Sequence, residues 1–107
     1  MTTSRLNQLM AFHAAQPGDP FLLFALAKEH EKMGDDATAL QQFLQLKQQH
    51  PDYVGLYYHL GKLYERAGSA ADAFAVYQEG MDVARMLHDQ HALDELAAAR
   101  RALDETE

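Results

Sequence analysis

The chain has 107 residues, 48% of them apolar, no cysteine and a formal net charge of −7. That length fits one domain able to bury roughly two-thirds of its unfolded surface, and the missing cysteines exclude disulfides and thiolate metal sites. No apolar run approaches the ~20 residues of a membrane span, so no membrane partner is expected, and the excess of carboxylates argues against nucleic acid, which is bound through clustered Lys and Arg.

The opening Met1-Thr2-Thr3-Ser4-Arg5 lacks the charged-then-apolar order of a secretory signal, and a cytoplasmic location is expected. Charge is spread unevenly. Residues 1–71 carry seven acidic and six basic groups, whereas residues 72–107 carry nine acidic and three basic ones. The acidic half reads as a solvated face.

Taken in order, Leu6, Leu9, Met10 and His13 sit at helical spacing, and Pro17-Gly18-Asp19-Pro20 ends that first helix. Asp19 can cap a second helix over about Pro20 to Met33, with Pro20 at the first position, where its missing N–H costs nothing. Gly34-Asp35 turns the chain into a third helix over about Asp36 to Gln49, stopped by His50-Pro51-Asp52. A fourth spans about Tyr53 to Ala67, Gly68-Ser69 repeats the turn, and a fifth runs from near Ala70 to about His88. Asp89 can cap a sixth over about Gln90 to Leu103. The closing Asp104-Glu105-Thr106-Glu107 opposes the helix dipole and is expected to fray.

Shifting the sequence by thirty-four residues superposes Pro17 on Pro51, Leu22 on Leu56, Leu26 on Leu60, Lys28 on Lys62, Glu31 on Glu65 and Gly34 on Gly68. A fixed period of this size signals helical units that bury their apolar faces on their neighbours. The second unit reads Tyr57-x2-Leu60-Gly61-x2-Tyr64, then Ala73-x3-Tyr77. The first reads Leu23-x2-Leu26-Ala27-x2-His30, then Ala39-x3-Phe43, closing at Pro51. Gly80 falls inside the expected fifth helix. Since it costs ~1 kcal/mol against alanine mid-helix, it implies a close neighbour.

These residues resemble the tetratricopeptide repeat family over residues 20–87, and the whole chain resembles small stand-alone bacterial proteins of two repeats and a terminal capping helix. The resemblance implies an all-α, right-handed α–α superhelix in a single domain over 1–107. Its parts are a half-repeat helix (4–16), repeats at 20–53 and 54–87, and a capping helix (89–104). It also implies a protein-interaction module or adaptor, with the first helix of each repeat lining a concave groove.

Spacing then finds the residues of that groove. Phe21, Phe24, Lys28 and Glu31 form one stripe, and Gly55, Tyr58, Lys62 and Glu65 the equivalent stripe one repeat later, with Lys32, His59 and Arg66 beside them. The mixture of aromatic and cationic groups, flanked by glutamates, suits an extended peptide with apolar side chains and an acidic group. The same lysines and glutamates can instead pair along their own helices for ~0.2–0.5 kcal/mol each. The alternative function is a homo-oligomer or assembly subunit, with the groove or last helix filled by another protomer. Some family members clamp chaperone C-termini with lysines, asparagines and an arginine; here Phe24 stands where the first clamp lysine would be and His59 where an asparagine would be, so that pattern is not met.

No other chemistry emerges. His88 and His91 are three apart, with Asp89 and Asp94 nearby, but no confident further ligands complete a metal site. His13, His30 and His50 read as satisfied packing or helix-end residues. There is no glycine-rich phosphate loop or activated serine motif, so neither enzyme activity nor a cofactor is expected. The methionines (Met10, Met33, Met81 and Met86, beyond Met1) read as fillers of core gaps.

Overall fold

The computed structural model describes residues 2–105, and every regular element in that range is a helix. Met1, Thr106 and Glu107 lie outside the described residues, and with them part of the expectations placed on the N-terminus and on the closing acidic run. The helices form two compact units, one ending at Tyr53 and the other beginning at Val54.

The first unit contains α1 (Thr2–Ala15), α2 (Pro20–Lys32) and α3 (Asp36–Gln49). Asp19 caps α2 by accepting from the Phe21 N–H at 2.9 Å, with Pro20 following it. Its buried stripe of Leu22, Leu23, Leu26 and Ala27 packs on Ala39, Phe43 and Leu46 of α3. Asp35 caps α3 through the Thr38 N–H at 3.2 Å, and hydrogen bonding by Thr38 holds its carboxyl below the usual carboxylate range. His30 Nδ1 lies 2.8 Å from Gln42 Oε1 and ties α2 to α3.

The second unit contains α4 (Gly55–Arg66), α5 (Ala70–Met86) and α6 (Gln90–Glu105). The fourth helix starts later than its periodicity suggested, because the Tyr53 N–H donates to the His50 carbonyl at 3.0 Å and keeps that residue in the preceding turn. Ala73 and Gly61, both buried, give α4 and α5 their close approach. The glycine anomaly at Gly80 resolves here: a Cβ on it would lie 2.5 Å from Tyr57 Cβ and 2.9 Å from Leu96 Cδ1, so both α4 and α6 reach α5 at that point. At the other end α6 continues to Glu105, two residues past the expected stop, with Leu103 and Asp104 lying along Ala70, Ala71 and Phe74 of α5. The methionines behave differently from expectation: Met81 is buried, whereas Met10, Met33 and Met86 are exposed. His13 lies in the last turn of α1, as a helix-end residue, with its Nε2 buried and without a hydrogen-bond partner.

Three turns share one construction. Gly34 and Gly68 adopt positive φ, and so does His88 at φ 56°. Each donates to the carbonyl three residues back, and the following residue donates to the carbonyl five back (Asp35 to His30, Ser69 to Tyr64, Asp89 to Ala84). These bonds satisfy carbonyls that a helix end otherwise leaves open. The Asp89 carboxylate then caps α6 through the Ala92 N–H at 3.0 Å. Unlike the two glycines, His88 carries a Cβ that crowds its backbone in the left-handed region. His88→Gly is therefore expected to stabilise the protein by about 0.5–1 kcal/mol, read as a melting midpoint higher by a few degrees. An unchanged or lower midpoint would remove the strain argument.

Candidate functional site

In the first unit, α2 carries Phe21, Phe24 and Lys28 on one side, as their steps of three and four require. Phe21 is 59% exposed. Phe24 is half-buried, with Tyr53 at 5.1 Å and Phe43 at 6.0 Å between ring centroids, so part of its ring belongs to the core. Burial pushes the Tyr53 phenol up, and the nearby Asp19 carboxylate adds to the effect. Lys28 Nζ lies over the Phe24 ring at 5.3 Å.

These three side chains line a concavity of about 260 Å³ together with Ala25, Lys32, Arg5 of α1 and Glu29. Glu31 is half-buried at the end of the same helix but is not part of that lining. Glu29, with 5% exposure, is the buried charged residue of the described chain; Arg5 Nε stands 3.4 Å from its Oε1. Arg5 and Glu29 were missed by the groove reasoning. The signal existed in the stripe Leu22, Leu26, Glu29, whose steps of four and three place the carboxylate on the buried face.

In the second unit Lys62 Nζ lies over the Tyr58 ring at 5.4 Å, repeating the first unit's cation-over-ring pair one period later. His59 packs edge-on to Tyr58 at 5.8 Å. Here, however, Lys62 also pairs with Glu65 at 3.6 Å, and Glu65 accepts a hydrogen bond from the Tyr77 hydroxyl of α5. Burial, then that hydrogen bond, raises the Tyr77 phenol far above the ordinary range. Arg66 is exposed in the last turn of α4. The pairing along the helix thus forms at Lys62 and Glu65, while Lys28 makes no ion pair with Glu31.

A larger concavity of about 360 Å³ lies on α5 and α6 against Ala70, Ala71, Phe74, Leu103 and Asp104. Its one large ring, Phe74, already has the Arg100 guanidinium over it at 5.5 Å. Among the described residues no group of three His, Asp or Glu is placed to hold a metal ion. Near His88 and His91, Asp89 caps α6 and Asp94 accepts from Gln90 at 2.8 Å. No described helix is long and apolar enough to cross a membrane.

No family model matches the chain, and no curated protein matches it in sequence. Solved structures do. A crystal structure of a tetratricopeptide repeat domain protein from Salinibacter ruber is 46% identical, covers 83% of this chain and 99% of its own, and superposes with a TM-score of 0.81. The structure of PcrH in complex with the chaperone binding region of PopD is 12% identical, covers 98% of this chain and 80% of its own, and gives a TM-score of 0.88. MamA, at 14% identity, covers 97% of this chain and 67% of its own with a TM-score of 0.70. The last two share the fold. The first shares the sequence as well, and with the thirty-four-residue period and the helix pairs of both units it establishes that this chain belongs to the tetratricopeptide repeat family.

Proposed function

We propose that this chain is a protein-interaction module, with repeats at 20–53 and 54–87, that binds an extended segment of a partner protein along the first helix of each repeat, α2 and α4. One observation carries the reading. A lysine lies over an aromatic ring at 5.3 Å on α2 and at 5.4 Å on α4, at positions one period apart, with Phe21 left 59% exposed beside the first. Aromatic rings next to cations offer a partner apolar area and directional charge together. The fold supports the reading too, since PcrH is seen with a partner's segment bound. Catalysis has no part in the proposal.

The test is to select binding peptides from a random display library and map them on the isotope-labelled protein by NMR. Shifts are expected at amides of α2 and α4, and Tyr58→Ala is expected to weaken binding about tenfold, as for a central aromatic contact. Shifts confined to α3, α5 and α6 would remove the assignment.

A further inference from the structure

The two repeats present the same lysine over the same ring, yet they use the charge differently. Lys62 is held by Glu65 at 3.6 Å. Lys28 has the Phe24 ring and no carboxylate within ion-pairing distance among the described residues, and Lys32 has none either. Both are exposed and stand four apart on α2, where like charges repel and destabilise a helix. Their neighbour Arg5 is neutralised by the buried Glu29. The concavity therefore keeps two unmatched positive charges, in a chain with only nine Lys and Arg against sixteen Asp and Glu. Phe21, Phe24 and Ala25 supply its apolar wall.

Resting on the interaction reading above, we propose that the concavity between α1 and α2 selects a partner segment in which an acidic residue adjoins a large apolar side chain. The carboxylate sits between the Lys28 and Lys32 ammonium groups and relieves their repulsion, while the apolar side chain lies against Phe21 and Phe24. Lysines recognise charge here without the planar fork that arginine would impose, so Asp and Glu serve equally. At about 260 Å³ the space is below the roughly 300–1,000 Å³ of pockets that take whole small molecules, which suits two adjoining side chains of a longer segment. Phosphate backbones would also meet the two lysines, but the chain's net charge of −7 opposes a polyanion.

The probes are two acetylated, amidated heptapeptides with a central Phe, one flanked by Asp and one by Lys, titrated into the full labelled chain at low salt. The acidic peptide is expected to shift the amides of Phe24, Lys28 and Lys32 and to bind about tenfold tighter than the basic one. Lys28→Gln with Lys32→Gln should abolish that preference without lowering the melting midpoint, whereas Arg101→Gln, an exposed change on α6, should leave it within about twofold. Equal affinity for the two peptides, or an equal loss in Arg101→Gln, would overturn the inference while leaving the interaction reading intact. Silence of both peptides at α2 and α4 would remove both. Tighter binding of an oligothymidylate at the same amides, or their movement with protein concentration alone, would overturn the peptide assignment in favour of nucleic acid or a second copy.

Discussion

Gly61→Ala is expected to destabilise the protein by about 3 kcal/mol, the upper range for an overpacked core, and to lower the melting midpoint by roughly 10–20 °C for a chain of this size. The added Cβ would overlap the Tyr77 ring at Cε1 and lie 2.6 Å from Cζ and 2.7 Å from Cδ1. A flexible side chain would swing away, but Tyr77 is fully buried and its hydroxyl is fixed to Glu65. The ring can retreat only by moving α5 from α4. Better helix propensity returns ~1 kcal/mol at most, too little to reverse the sign. Gly18→Ala is the control, because a Cβ there meets nothing within 4 Å. A Gly61→Ala midpoint within two or three degrees of the parent would show that the α4–α5 packing yields far more easily than its geometry implies.

The second large effect is expected from Tyr77→Phe. It removes a hydrogen bond to a carboxylate, a class worth about 1.5–3 kcal/mol. Glu65 keeps Lys62 at 3.6 Å and is 29% exposed, so water partly replaces the lost donor and about 1.5 kcal/mol is the expected cost. The pH dependence separates this from a packing loss. Burial first, and the Glu65 bond second, raise the folded phenol above its ordinary 10.0. The folded state thus holds the proton more tightly than the unfolded chain does. The contribution of Tyr77 is fully present below pH 10 and declines as the pH rises above it. Denaturation of parent and variant across neutral to alkaline pH should show the gap between them narrowing above about pH 10. A gap that stays constant would assign the effect to shape alone. A double-mutant cycle with Glu65→Ala, which leaves the Tyr77 hydroxyl no acceptor at that place, should return most of the energy as coupling.

The helix order was legible because its breaks are written in residues with restricted or permissive backbones. Pro17, Pro51, Gly34 and Gly68 can stand only at certain points of a helical chain. The α5–α6 joint was harder to place, since a histidine takes the position that glycine takes in the other two turns. Close contacts were legible at Gly80, where an unfavourable residue required a reason. The exposed methionines were not, because apolar residues on small proteins often face water and composition does not say which.

Within the candidate site, spacing put Lys28 with Phe24 and Lys62 with Tyr58, which a single helix determines. It could not separate the two lysines' charge states of pairing. Glu31 and Glu65 look equivalent along the sequence. What the sequence did not show is the contact from the following helix, where the Tyr77 hydroxyl holds Glu65; Phe43 stands at the corresponding place one period earlier. The Arg5–Glu29 pair was equally hidden, because it depends on how α1 lies on α2, and helical period alone does not set that register.

The Tyr77–Glu65–Lys62 chain has a consequence for how duplication works in this protein. Two copies of one thirty-four-residue pattern each carry a lysine over a ring and a glutamate three residues on, Lys28 and Glu31 in the first and Lys62 and Glu65 in the second. In the later copy the Tyr77 hydroxyl holds the glutamate and the glutamate holds the lysine, a polar chain that joins α5 to the surface of α4. The earlier copy has Phe43 at the place of Tyr77, and its Lys28 is outward-facing over the Phe24 ring. Lysines one period apart thus differ in how firmly they are held: both lie over a ring, and the later one is also fixed, through a carboxylate, to the neighbouring helix.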